Sequence, residues 1–112
     1  MSVNERIIAA ATTVVDVCVP GAYVPEEGAE TQIYCTFNVT QTPAAFGDDE
    51  PEAMLDLCQL HLWAPRGVNT VNLRKELRHA VARAGFTHPS VTDASDLEGQ
   101  HYVLEFEDAE EV

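Results

Sequence analysis

Leu55-Asp56-Leu57-Cys58-Gln59-Leu60-His61-Leu62-Trp63-Ala64-Pro65 is the longest apolar run in the chain. Asp56, Gln59 and His61 interrupt it, and Pro65 ends it. Met54, Cys58, Leu60, Leu62 and Ala64 form an apolar row at period two, while Leu55, Leu57, Gln59, His61 and Trp63 form a mixed one. One wholly apolar face and one half-apolar face predict a strand inside a sheet rather than at its edge. A helix is disfavoured by the nearby proline and the lack of a preceding N-cap.

Arg66-Gly67 then turn the chain into its clearest helix. Asn69 is the expected N-cap, with Val68 stapled onto Leu73. Leu73, Leu77, Ala80, Val81 and Ala84 make one apolar stripe. Gly85 stands where a left-handed residue ends a helix, and Phe86 is placed to pack back on Val81. Burying Leu73, Leu77 and Val81 should contribute roughly 5–8 kcal/mol. The rest of the chain is expected to pack on this strand–turn–helix unit.

Upstream, Ser2-Val3-Asn4-Glu5 has the capping-box pattern, and Val3, Ile7, Ile8, Ala11 and Val14 recur at helical spacing. A first helix is predicted over residues 3–13, with a short strand over 15–19. Residues 20–30 hold two prolines and two glycines and read as loop. Residues 31–39 alternate as a strand, with Ile33, Cys35, Phe37 and Val39 inward and Gln32, Tyr34, Thr36 and Asn38 on a wet face. Residues 40–52 read as a loop of about a dozen residues, longer than the roughly 2–5 of an ordinary hairpin, and such loops tend to be functional or disordered. Within it Phe46 either tucks back on the core edge or touches another subunit.

Downstream, residues 87–89 break the chain, 91–93 form a short strand and 96–99 a turn. The last strand spans 101–107, with Tyr102, Leu104 and Phe106 on one face, and an acidic, frayed end follows over 108–112. The sum is a single α+β domain: a mostly antiparallel sheet of four or five strands with two helices on one face.

A chain of 112 residues makes one domain, and 46% apolar residues supply a core. Three cysteines without paired spacing argue against a disulfide framework and for a reducing interior. No signal peptide is expected, and no run approaches the ~20 apolar residues of a membrane span. Nineteen acids against six bases give a net charge of −13. Such a surface repels nucleic-acid phosphate and anionic membrane. The alternative cause of that charge is a plain solubility bias.

Arg66, Arg74, Lys75, Arg78 and Arg83 lie close together with only Glu76 among them, which predicts a basic face on an acidic body. On a helical wheel Arg74, Lys75, Arg78, His79 and Arg83 fall opposite Leu73 and Leu77. Arg74 and Arg78 are a like-charge pair one turn apart, and the helix dipole disfavours cations in the first turns. That face is either an ordinary solvated one or the mate of an acidic partner, for which a neighbouring copy is the nearest candidate.

Motifs for chemistry are lacking. Cys58 and His61 fall on opposite faces of a strand and do not form a zinc site. Cys18 and Cys35 read as small core residues. Ser95 has no nucleophile elbow, and no glycine-rich phosphate loop is present. Asp48, Asp49, Glu50 and Glu52 lack the ligand spacing of a calcium loop and read as a solvated acidic stretch. His61 and Trp63 share a strand face, and either line a pocket or lie under a helix or at a subunit contact. No catalytic residue, cofactor or metal is expected, and the chain does not read as an enzyme.

Asn4-Glu5-Arg6-Ile7, Thr36-Phe37-Asn38, Pro43-Ala-Ala-Phe46-Gly-Asp-Asp-Glu-Pro51, Leu60-His61-Leu62-Trp63-Ala64-Pro65, Asn69-Thr70 with Leu73-Arg74-Lys75, Gly85-Phe86-Thr87, Asp93-Ala94-Ser95-Asp96 and Gly99-Gln100-His101 follow one another in this order. That order resembles the small tail-completion proteins of long-tailed bacteriophages and prophages, also called tail terminators or head–tail joining proteins. The likeness spans nearly the whole chain and lies in short signatures without a chemical mechanism. The chain departs from the family in its longer 20–30 segment and its acidity.

The resemblance implies a structural virion protein of the tail or neck, assembled in the host cytoplasm. It implies an α+β subunit in a ring, commonly hexameric, that caps the tail tube and docks on the head connector, with DNA passing through the lumen without specific binding. The interface residues expected on this reading are Phe46, Asp48, Asp49 and Glu50 toward tube or connector, and Arg66, Arg74, Lys75, Arg78 and Arg83 toward a neighbouring subunit. The alternatives are a head-completion or minor tail protein of the same virion, a soluble acidic module that binds a host protein, and a small enzyme with a pocket at His61 and Trp63.

Overall fold

The computed structural model describes residues 1–29, 31–47 and 50–111, as backbone alone at 44–47, 50–52 and 109–111. The chain is α+β, and its elements run α1 (Val3–Ala11), β1 (Cys18–Pro20), β2 (Tyr34–Gly47), β3 (Glu50–Ala64), α2 (Val71–Arg83), β4 (Ser90–Asp93) and β5 (Gln100–Glu111). The strands form one sheet in the order β1-β2-β3-β5-β4. β1 is parallel to β2, and the other three pairings are antiparallel. The short strands β1 and β4 lie at the edges, where a long strand would expose many unpaired backbone groups.

α1 starts as its capping box requires. The Ser2 hydroxyl accepts from the Glu5 amide at 3.1 Å, and the Glu5 carboxylate accepts from the Ser2 amide at 3.4 Å. It ends at Ala11 rather than 13, where the Thr12 and Thr13 hydroxyls donate to the Ile8 and Ala10 carbonyls, each at 2.7 Å. The N-cap position of α2 is Thr70, one residue later than the expected Asn69, and the Thr70 side chain makes no capping hydrogen bond. Asn69 still serves the end, because its side-chain oxygen accepts from the Val71 amide at 3.0 Å. Gly85 takes the left-handed φ of +96°, a conformation that costs glycine little.

The core is one cluster. Ile7, Ala11 and Val15 from the α1 end and Leu77 and Val81 from α2 join Cys35, Phe37, Cys58, Leu60, Leu62, Leu104 and Phe106 of the sheet. The strand members lie opposite one another in register: Cys35 faces Leu62, Phe37 faces Leu60, Leu60 faces Leu104, and Cys58 faces Phe106. The even-numbered row of β3 is therefore the buried one.

An expected loop and most of an expected frayed end are strand. Residues 40–47 continue β2 and residues 50–52 begin β3, so the expected dozen-residue loop is instead the far half of a long hairpin. Register shifts beside Ala45 absorb the irregularity around Pro43. Residues 108–111 also remain paired, from Asp108 opposite Asp56 to Glu111 opposite Ala53, rather than frayed. In both places cross-strand hydrogen bonding to β3 overrides a local composition of prolines and acids. The hairpin makes the molecule long, 55 × 25 × 25 Å.

Arg6 ties α1 to the far side of the core. Its guanidinium donates to Asp108 at 2.7 Å and to the Ala84 carbonyl at 3.0 Å, and lies 4.3 Å above the Phe86 ring.

Candidate functional site

The odd-numbered row of β3 lies on the other face of the sheet, and register fills that face with rings. Tyr34 of β2 stands opposite Trp63, and Trp63 stands opposite His101 of β5. Trp63 stacks on His101 with centroids 3.8 Å apart and planes within 8°. Tyr34 stacks at 6.3 Å on the other side, and Tyr23 from the 21–33 segment leans on Tyr34 at 4.9 Å. His61 completes the row, 5.0 Å from the His101 ring.

The polar edges of these rings are satisfied along the strands. Trp63 Nε1 donates to Thr36 Oγ1 at 3.0 Å. His61 Nδ1 and His101 Nε2 are 2.8 Å apart, and His61 Nε2 is 3.1 Å from Asn38 Oδ1. An amide oxygen only accepts, so His61 carries its proton on Nε2 and its Nδ1 accepts from His101. That relay uses two neutral imidazoles. Burial holds both histidines below their ordinary value. For His61 the adjacent His101 lowers it further while Glu105 opposes, and for His101 Asp96 opposes.

At the end of the sheet away from the hairpin tip, Tyr34, Trp63 and His101 wall a pocket of about 420 Å³. Val24 and Pro25 close one side, and Asp96, Glu98 and Gly99 of the β4–β5 turn close the other. The turn is rigidly built. Asp96 Oδ1 accepts from the Glu98 and Gly99 amides at 2.8 and 3.2 Å, and Asp93 Oδ1 accepts from the Ser95 amide at 2.9 Å. Glycine suits position 99, because a Cβ there would lie a tight 3.0 Å from the Ala64 carbonyl oxygen. Gln100 locks the floor to the β3–α2 turn, donating to the Pro65 and Val68 carbonyls at 2.8 and 2.7 Å and accepting from the Thr70 hydroxyl at 2.8 Å. A larger hollow of about 630 Å³ lies further along the same face, lined among others by the polar side chains of Asn38, Gln59, Glu105 and Glu107.

The five clustered bases do not share one environment. Arg66, in the turn, donates to the Leu97 carbonyl at 3.0 Å. Arg74 corrects the wheel: its guanidinium lies 4.1 Å over the Tyr102 ring and its Nε donates to Thr70 Oγ1 at 3.2 Å, so it tucks toward the sheet. The cation–π contact and the Thr70 oxygen outweigh the pull of solvent. Lys75 and Arg83 are exposed, and Arg78 is half-buried with its Nε unpartnered among the described residues. Asp48 and Asp49, and the side chains of Phe46 and Glu50, lie outside the described residues.

Among the described residues, no group of three or more His, Cys, Asp or Glu side chains is arranged around a metal position. Burial pushes the Cys18 thiol up to about 11 and Cys58 up to about 12, so both stay protonated core groups at neutral pH. No described helix is long and apolar enough to cross a membrane.

Sequence reasoning places His61 and Trp63 together but misses Tyr34, His101 and the acidic turn. Their partnership depends on pairing across some thirty to forty residues, for which no local pattern exists. The polar face assigned to Tyr34 was the available signal. Neither the protein-family models nor the curated proteins compared with this chain give a match.

Proposed function

We propose that the chain is a structural subunit of a long-tailed phage virion: a tail terminator or head–tail joining protein that assembles as a ring, with a hexamer favoured. The observation that carries this reading is the presence of two unlike patches on one subunit. One is a ring-lined, acid-rimmed pocket on the open sheet face, and the other is the exposed cations of α2. Unlike patches suit head-to-tail contacts, which close into rings when the rotation permits. The order of short signatures along the chain supports the family assignment. The long β2–β3 hairpin is the arm assigned to tail tube or connector, and a net charge of −13 suits a lumen that lets DNA pass without holding it.

Native mass at low and moderate salt, with electron microscopy of the same sample, tests the reading. A hexameric particle with a central hole supports it. A dimer or monomer that also fails to bind isolated tail tubes opposes it. The acidic charge favours one second reading, a module that binds a basic host protein, which predicts a monomer or dimer and a strongly salt-sensitive complex.

A further inference from the structure

Cations and carboxylates are unevenly matched in this chain. Among the described residues the single ion pair is Arg6 with Asp108. Arg66 and Arg74 are held by a carbonyl and by a ring with a hydroxyl. Lys75, Arg78 and Arg83 remain, all on α2, with no carboxylate partner among the described residues although acids outnumber bases nineteen to six. The pocket at the end of the open face has the reverse character. Its Asp96 and Glu98 carboxylates form no salt bridge among the described residues.

Apolar groups are exposed beside the acids. Val24, which lines the pocket, is 86% exposed, and Leu97, in the turn between Asp96 and Glu98, is 85% exposed. Exposed large side chains at the rim of a ring-lined hollow mark a contact surface. The stacked rings present apolar edges beside carboxylates, which suits an ammonium or guanidinium on a flexible stem, whose methylenes lie along the ring edges while its head reaches the acids.

We infer that this pocket receives the basic edge of α2 from a second copy of the chain, with Lys75, Arg78 and Arg83 of that copy set against Trp63, Tyr34, Asp96 and Glu98. The joint is heterologous, since each copy offers α2 on one side and the pocket on the other. It rests on the ring reading and assigns that ring its contact.

The test uses two full-length variants. Lys75→Glu with Arg83→Glu spoils α2 and leaves the pocket whole. Asp96→Asn with Glu98→Gln spoils the pocket and leaves α2 whole, and asparagine keeps the oxygen that caps the turn. The expected result is a wild-type ring, at least tenfold weaker self-association of each variant alone, and a dimer when the two are mixed, because one good joint survives in the mixture. Trp63 is the sole tryptophan, so its emission should shift as the dimer forms. If the wild type forms rings and both variants do so equally well, the joint lies elsewhere, and this assignment falls while the ring reading stands. If the wild type stays monomeric at every accessible concentration and salt, self-association through the pocket is overturned together with the self-assembled ring. Circular dichroism of each variant guards against loss of fold, and if the charge variants unfold, Trp63→Phe with the same mass measurement decides.

Discussion

Along β3, neighbouring residues live in two different settings. Asp56, Cys58, Leu60, Leu62 and Ala64 are buried, and Cys58, Leu60 and Leu62 share one core cluster with residues of both helices, while Leu57, Gln59, His61 and Trp63 stay partly or largely exposed. The buried row is held by apolar area removed from water, a force without direction. The open row is held by stacked rings and by hydrogen bonds that fix each tilt, from Trp63 to Thr36 and from His101 through His61 to Asn38. The first face makes the fold. The second keeps large aromatic groups accessible, and that accessibility is useful for contact with another molecule.

Leu60→Ala should break the comparison most severely, because the residue is fully buried between Phe37 and Leu104. A loss of about 2–5 kcal/mol is expected in urea unfolding. Trp63→Ala, three residues along the same strand on its other face and far larger, should cost only about 1–2 kcal/mol. Equal losses would mean that the open face is as much a part of the core as the other. At the margin of the buried face, Arg6→Ala removes the link from α1 to Asp108 and the cover over Phe86. A loss of about 1–3 kcal/mol is expected, read as a lower urea midpoint.

The histidine relay gives a pH test of the open face. His61 and His101 bind protons less readily in the fold than in the unfolded chain, whose ordinary value is 6.5. The unfolded state therefore holds more protons in acid, and stability rises with pH through this range. It should be full above about 6.5 and decline as pH falls from there toward the lowered folded values. His61→Gln with His101→Gln should remove that part of the slope, measured as urea midpoints across the range. The smallest effect is expected at Asp56, the one buried acid among the described side chains of the even row, 1% exposed. Its Oδ1 accepts from Gln41 at 3.1 Å, and its Oδ2 lacks a partner among the described residues. Asp56→Asn removes a poorly paired charge and should change stability by less than about 1 kcal/mol in either direction.

Much of this architecture is legible in the residues themselves. The period-two pattern of β3 names its buried row, and the Ser2–Glu5 box and Gly85 mark helix ends that form as read. Local signals carry that information because they act within a few residues. They mislead at residues 40–47, where proline and acidic neighbours suggest loop while residues 50–57 supply backbone partners. They mislead again at Arg74, where the wheel cannot know that Tyr102 of a distant strand offers its ring.

By itself, then, the sequence determined the class of fold, the central strand and which of its faces is buried, since apolar periodicity alone dictates these. Only the tertiary structure decided that Tyr34, Trp63 and His101 stand in one row beside Asp96 and Glu98. That row depends on strand register, which is set by the whole sheet closing over its core rather than by any one stretch of chain.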